Sequence, residues 1–255
     1  TTLEKCRTVL SEMDHILKEY QLIVEDGKID HELIEISSNP IPFMDIKSLV
    51  NHKYIYENSD EFKRVEHCFF SDQCMLHYIK RINKTYKSFY DLINNEKIKR
   101  EDYKNYAERE IEFLLNGKYI KEDEQGYLII NKAETIKIFK DLHDNEVINY
   151  WKYSDVMRKE IDKLIANEIL ICLDSLLSKP EIDYYNYYLN KSEFNNGMDL
   201  RNKYIHGTQP SSDDAEKEHK YNYMIFLKLF ILLIIKINDE LCTINSQKYI
   251  NNNKK

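Results

Sequence analysis

The chain has 255 residues, with 44 acidic against 37 basic ones and a net charge of −7, but only five glycines and four prolines. So few turn-forming residues disfavour a β-sandwich, a β-barrel or a collagen-like chain, and they favour helices. The negative balance also argues against a general nucleic-acid coat, which needs a broad basic surface, although a local basic site is compatible with it.

Cysteine usage and hydropathy predict a cytoplasmic protein without a membrane span. The five cysteines are scattered and form no CxxC pair, so we expect neither a disulfide framework nor a zinc site. The first residues lack the apolar core of a signal peptide. The longest apolar stretch, residues 223–237, is too short for a bilayer and contains Lys228 and Lys236. It therefore predicts a buried helix.

In the N-terminal half, helical spacing of apolar residues predicts a first helix over residues 1–23, which the EDGK sequence at 25–28 ends. Residues 29–56 contain two prolines and form an irregular connector of unassigned fold. Helical spacing resumes from about residue 60 to residue 83.

Residues 87–131 predict a small winged-helix-like module. Two helix-like pieces, SFYDLIN and DYKNYAEREIEFLL, precede two short apolar runs, Tyr119-Ile120 and 127–130, which a polar turn separates as in a hairpin. A winged helix reads DNA with its second helix. Residues 101–124, however, contain eight acidic and only four basic residues, so a recognition helix of this charge would be repelled by the phosphates of DNA. A protein-contact or structural module is therefore favoured over a DNA-binding regulator.

The second half continues the helical pattern. Apolar residues at spacings of three and four predict a helix that stops before Pro180; they are Met157, Ile161, Ile165, Ile169, Cys172 and Leu176. A last helix from about 213 to 241 starts with the capping-box-like pair Asp213 and Glu216, and no internal repeat is evident. The sequence thus predicts a mainly α fold: a helical, winged-helix-like region 1–145, a helical bundle 146–250 and a disordered tail 251–255.

The segment RNKYIHG carries the residues best suited to chemistry: Arg201, Asn202 and His206. A guanidinium stays protonated and fits two phosphate oxygens, whereas an imidazole transfers protons near neutral pH. A short helix ending at Gly207 would place His206 in its last turn, where the negative helix end favours the protonated ring. On an unbroken helix Arg201 and His206 lie about 140° apart. Both reach one substrate only if the helix unwinds or a second chain contributes.

This segment, lying between an amphipathic helix and an apolar final helix, resembles the signature of the HEPN superfamily, helical bundles many of which are metal-independent endoribonucleases. The resemblance covers about residues 146–245, and DLRNKYIHGT is especially similar to HEPN-type domains of bacterial anti-phage and abortive-infection proteins. It implies a C-terminal HEPN-like bundle that cleaves RNA through attack of the 2′-hydroxyl, in a defence or toxin role. Arg201, Asn202 and His206 would then be catalytic, with no metal and no cofactor.

The resemblance also implies partners. HEPN enzymes pair two chains so that two motifs share one cleft, so we expect a homodimer, with the apolar final helix packed against a second copy. Lys191, Lys203 and Tyr204 are the candidate RNA contacts, although solvated lysines and packed tyrosines are simpler interpretations. The N-terminal region would serve sensing or assembly with a regulatory protein.

Two alternatives stay open. Arg201 could pair structurally with an acid such as Asp199, while His206 closes a helix. Some HEPN domains bind nucleotides, RNA or proteins without cleaving them, so the chain could be a non-catalytic scaffold.

Overall fold

A computed structural model describes residues 1–30, 32, 40–104, 106–191, 194–205, 207 and 214–252. The predicted mainly α fold is confirmed. Its helices are α1 (Thr2–Asp26), α2 (Asp60–Phe70), α3 (Phe89–Asn95), α4 (Glu108–Asn116), α5 (Ala133–Asn145), α6 (Asp155–Ala166), α7 (Lys179–Leu189), α8 (Leu200–Ile205) and α9 (Ala215–Asn252). Its strands are β1 (Tyr54–Glu57), β2 (Ile120–Glu122), β3 (Leu128–Ile130), β4 (Ile148–Asn149) and β5 (Leu170–Leu173). Within the described part of the chain, no helix combines the length and hydropathy that crossing a bilayer requires.

The chain forms two compact units, Thr1–Lys53 with Asp174–Lys255, and Tyr54–Leu173. This division differs from the predicted boundary between residues 145 and 146, because α1 and the segment that follows it share one core with the C-terminal helices. Helix α9 continues to Asn252, although the sequence predicted a disordered tail over 251–255, and residues 253–255 lie outside the described part.

The first unit, called here the bundle unit, is built around α1 and α9. The start of α1 is fixed by a capping box between Thr1 and Glu4, and it ends at Gly27, whose φ is 71°. Its buried face repeats every three or four residues and consists of Cys6, Leu10, Met13, Leu17 and Tyr20. These side chains share one core with apolar residues of α7, α8 and α9.

The second unit, called here the winged unit, contains five helices and two small antiparallel sheets. In one sheet, β1 lies between β4 and β5, with Tyr54 opposite both Asn149 and Leu173. The other is the hairpin of β2 and β3, in which Ile120 faces Ile130. The predicted helix, turn, helix and hairpin order of residues 87–131 is confirmed.

One predicted helix is wrong. The apolar spacing from Met157 to Leu176 holds as a helix only to Ala166, and Leu170–Leu173 is strand β5. The chain turns at Glu168, whose φ of 58° is left-handed. The following apolar residues then pair with β1, which lies more than a hundred positions earlier, and this nonlocal pairing outweighs the local helical spacing.

Part of the winged unit is an internal repeat, contrary to the expectation of no repeat. Between Phe89 and Leu114, ten residues recur fifty positions later: Phe89, Asp91, Leu92, Asn95, Glu96, Ile98, Tyr103, Glu110, Ile111 and Leu114 match Phe139, Asp141, Leu142, Asn145, Glu146, Ile148, Tyr153, Glu160, Ile161 and Leu164. The structure repeats with them, because Lys118 and Glu168 occupy equivalent positions and both have φ of 58°. Each copy runs helix, 3₁₀ turn, helix and strand.

Candidate functional site

The motif helix α8 is short and is held by two buried side chains one turn apart, Leu200 and Tyr204. It follows Asp199, whose φ is 52° and whose carbonyl oxygen accepts from the Lys203 amide at 3.2 Å. Gly207 has a φ of 78°, as expected for a left-handed helix end. His206 and the capping residue Asp213 lie outside the described residues.

Arg201 is anchored to α1. Its Nη1 donates to Asp14 Oδ2 at 2.5 Å, and the two side chains are only 12% and 19% exposed. The expected structural partner, Asp199, instead accepts from Asn202 Nδ2 at 3.1 Å. The ion pair thus holds the Arg201 guanidinium in one position against α1, and the Asp14 carboxylate neutralises part of its charge.

A cavity of about 370 Å³ in the bundle unit brings together three of the predicted site residues, Arg201, Asn202 and Lys191. The rest of its lining combines the apolar residues of segment 40–44 and Leu189 with the polar residues Asn186, Asn190 and Asp199. A cavity of this volume, lined by one ammonium, one guanidinium and several side-chain amides, suits a small polar group such as a nucleotide.

A second cavity, of about 550 Å³, borders the last residues of the motif helix. Tyr204 and Ile205 form one part of its wall. The rest comes from a single face of α1: Arg7, Leu10, Ser11, Asp14, His15 and Lys18. The sequence analysis did not single out His15. The signal that could have found it is the polar spacing of 7, 11, 14, 15 and 18 along one helix.

Tyr204 is a core residue. Its side chain is buried, its hydroxyl lies 2.9 Å from His219 Nδ1, and Asn222 Nδ2 donates to that hydroxyl at 3.0 Å. Burial raises the pKa of Tyr204 to about 12. These contacts engage the Tyr204 phenol in the interior of the bundle unit.

The tyrosines of α7 pack among themselves and against α9. Tyr185 is buried and donates to the Leu229 carbonyl oxygen at 2.9 Å. The Tyr184 and Tyr188 rings stand edge to face, with centroids 5.1 Å apart, and Lys228 Nζ lies 5.1 Å from the Tyr184 ring centroid. These contacts support helix packing rather than base stacking.

Among the described residues, no three His, Cys, Asp or Glu side chains are grouped as a metal ion would require. Comparison of the chain with models of protein families, with curated proteins and with solved structures finds no match. The resemblance to HEPN domains therefore rests on the RNKYIHG sequence and its helical setting.

Proposed function

We propose that the chain is a metal-independent endoribonuclease of the HEPN type, acting in the bacterial cytoplasm in a defence or toxin role. The observation that carries the proposal is the meeting of Arg201 and Asn202 with Lys191 around one cavity, on the helix that leads into His206. A guanidinium, an amide and an ammonium are the groups that hold a phosphodiester.

The proposed reaction needs neither metal nor water. The 2′-oxygen of a ribose attacks the adjacent phosphorus, the bond to the 5′-oxygen breaks, and a cyclic phosphate and a free 5′-hydroxyl result. Arg201 stabilises the crowded phosphate, because its charge is fixed and Asp14 holds it in place. His206 moves a proton, and Asn202 contacts the phosphate or orients its neighbours.

Cleavage of mixed RNA by the purified protein in EDTA tests this function. The wild type is expected to yield ends bearing a cyclic phosphate and a 5′-hydroxyl. His206→Ala should lower the rate by about 10² to 10⁴, the usual contribution of an acid–base group. Arg201→Lys should lower it as well, because lysine keeps the charge but loses the bidentate fork.

The exposed residues His67 and Arg109 in the winged unit provide matched controls, since His67→Ala and Arg109→Lys make the same substitutions far along the chain from the motif. Both variants should cleave at the wild-type rate. Full activity in His206→Ala would contradict the proposed function.

The ion pair between Arg201 and Asp14 favours a second candidate, a non-catalytic HEPN scaffold that binds a partner protein, a nucleotide or RNA. In that case Arg201 stabilises the bundle unit and has no substrate to contact. RNA binding without any cleavage, together with a lowered melting temperature in Arg201→Lys, would support the scaffold.

A homodimer is part of the proposal. The face of α9 opposite its buried side carries an exposed apolar stripe, defined by Tyr221, Met224, Ile231 and Ile235. At 100° per residue these four positions fall within about 80° of one another. A stripe of that kind on a soluble helix is typical of an interface between chains.

A further inference from the structure

The cavity of about 370 Å³ is built from three parts of the bundle unit: segment 40–44, the end of α7 and the chain at the start of α8. The Met198 amide donates to the Tyr187 carbonyl oxygen at 2.9 Å, and this bond fixes the chain before α8 to α7. A Cβ atom at Gly197 would lie 2.9 Å from the same oxygen, so glycine permits this close approach. The backbone therefore sets the position of the start of α8 beside α7.

One wall of the cavity is apolar. Segment 40–44 has the sequence Pro-Ile-Pro-Phe-Met. Phe43 anchors it, since its side chain is buried and its ring centroid lies 4.9 Å from that of Tyr185 on α7. Met44, in contrast, is exposed. Proline, isoleucine and methionine side chains offer an apolar surface of the kind that packs against the face of a nucleobase.

The polar part of the lining consists mainly of side-chain amides. Asn186 and Asn190 lie one turn apart at the end of α7, and Asn190 Nδ2 donates to Asn186 Oδ1 at 2.8 Å. This bond leaves the Asn186 amide nitrogen as a donor and the Asn190 amide oxygen as an acceptor. The end of α7 therefore offers both kinds of hydrogen bond to a ligand.

Asp199 supplies the carboxylate of this lining. Its Oδ2 accepts from Asn202 Nδ2 at 3.1 Å. Among the described residues Asp199 forms no ion pair, because the nearby guanidinium of Arg201 is bound to Asp14. A carboxylate without a cationic partner can accept two further hydrogen bonds side by side, one at each oxygen. The lining thus favours a ligand with two adjacent N–H donors.

Guanine is the RNA base that offers such a pair. Its Watson–Crick edge carries the N1–H and N2–H donors next to each other, followed by the O6 acceptor. Adenine and cytosine have an acceptor ring nitrogen on that edge, and uracil has a single N–H between two carbonyl oxygens. A carboxylate therefore accepts two hydrogen bonds from guanine and only one from each other base.

On the basis of the proposed function, we propose that this cavity binds one guanine of the RNA and that Asp199 determines this specificity. The carboxylate accepts from N1–H and N2–H, the Asn186 amide donates to O6, and segment 40–44 packs against the face of the ring. Lys191 and Arg201, which line the same cavity, contact the phosphate of that nucleotide. A volume of about 370 Å³ lies at the lower end of the range for small-ligand sites and takes one unpaired nucleotide rather than a duplex.

Binding of mononucleotides tests the site without any cleavage. Isothermal titration calorimetry compares the 3′-monophosphates of guanosine, inosine and adenosine. The wild type should bind the guanosine nucleotide about 10- to 100-fold more tightly than the adenosine nucleotide, the usual discrimination by a bidentate contact. Inosine lacks the N2 amine and should fall between them, which tests the Asp199 contact without changing the protein.

Asp199→Asn should remove the preference for guanosine, because an amide offers one acceptor atom in place of two. Asparagine also adopts the φ of 52° found at this position, so the fold should be retained. Asp26→Asn makes the same change at an exposed position of α1 and should bind like the wild type. Equal binding of the three nucleotides by the wild type, or a preference that persists in Asp199→Asn, would overturn the guanine site.

Sequencing the ends of fragments from a mixed RNA separates this inference from the proposed function. The wild type and Asp26→Asn should show guanine at one fixed position beside the cut, whereas Asp199→Asn should cut without this preference. Cleavage by the wild type without a preference for guanine would overturn the specificity and leave the nuclease standing. Selective binding of the guanosine nucleotide through Asp199, in a wild type that does not cleave RNA, would support the guanine site and overturn the nuclease.

Discussion

At the residue scale, the feature least expected from the sequence is a buried polar network in the bundle unit. Glu240 of α9 is 2% exposed and accepts hydrogen bonds from the Tyr20 hydroxyl at 2.9 Å and the Leu49 amide at 2.8 Å. The Ser48 hydroxyl also donates to it, and the Lys53 ammonium forms an ion pair with it. Burial lowers the pKa of Lys53 and raises that of Tyr20. The charges are thus buried together with their partners, as such burial requires.

Glu240→Gln should destabilise the protein by about 3 kcal/mol, because it leaves the Lys53 ammonium buried without a counter-charge. The midpoint of urea unfolding measures the loss. Glu218→Gln, an exposed position on the same helix, should change the midpoint little. The double variant Lys53→Met with Glu240→Gln should recover part of the loss, since the buried charge is then removed. A double variant less stable than Glu240→Gln alone would contradict this account.

Sequence patterns found only part of the candidate site. The pair Arg201 and Asn202 was visible because both belong to one short motif, and Lys191 lies ten residues before it. The partners of Arg201 could not be predicted, because Asp14 lies 187 positions away and any of 44 acidic residues was available. His15 was missed for the same reason: its relation to the motif exists only through the packing of α1.

At the scale of elements, the duplicated half of the winged unit explains which local features the fold requires. In both copies the second helix ends in a turn with a left-handed residue, Lys118 or Glu168, whose amide donates to a carbonyl three positions earlier, at 3.0 and 2.9 Å. The next amides, of Tyr119 and Ile169, donate to carbonyls five positions back at 2.9 Å. The helix end that both copies share therefore requires a left-handed backbone conformation and no particular side chain.

Glycine at these turns should therefore stabilise the protein. Lys118→Gly and Glu168→Gly should each raise the free energy of unfolding by about 0.5–1 kcal/mol, since a non-glycine residue with this φ is strained. Thermal unfolding measures the change. Lys137→Gly, at an exposed position inside α5, should instead lower it by about 1 kcal/mol. A loss of stability in both turn variants would show that the side chains matter more than the backbone.

The elements that could be predicted are those defined by local signals. Helix α1 is predictable from the spacing of its apolar residues and from the glycine at its end, and the hairpin of β2 and β3 is predictable from its polar turn. The sheet of β4, β1 and β5 could not be predicted, because its strands are short and their partners lie far apart in the chain. The repeat was overlooked because its ten identities are spread over 26 residues and mostly fall on the common buried pattern.

At the scale of the whole molecule, the question is how many chains one cleavage site needs. The HEPN resemblance implies that two chains share a cleft, so that each chain of the proposed enzyme holds only part of a site. The apolar stripe on α9 is not part of the buried core of the bundle unit. The opposite face of α9 fills that core with side chains such as Phe226, Leu229 and Leu233. Under the proposed function, association through this stripe would bring the motifs of two chains to one cleft.

The paired substitution Ile231→Asp with Ile235→Asp should convert the proposed homodimer into a monomer, because two carboxylates in an apolar interface carry a large desolvation cost. Sedimentation velocity distinguishes the monomer from the dimer. Val156→Asp, at an exposed apolar position of the winged unit, is the matched control and should leave the dimer intact. The monomer is expected to lose most of its cleavage rate, because the proposed cleft needs a motif from each of two chains. A folded monomeric variant that cleaves at the wild-type rate would contradict the shared cleft, and a wild type that sediments as a monomer at all concentrations would remove the dimer from the proposal.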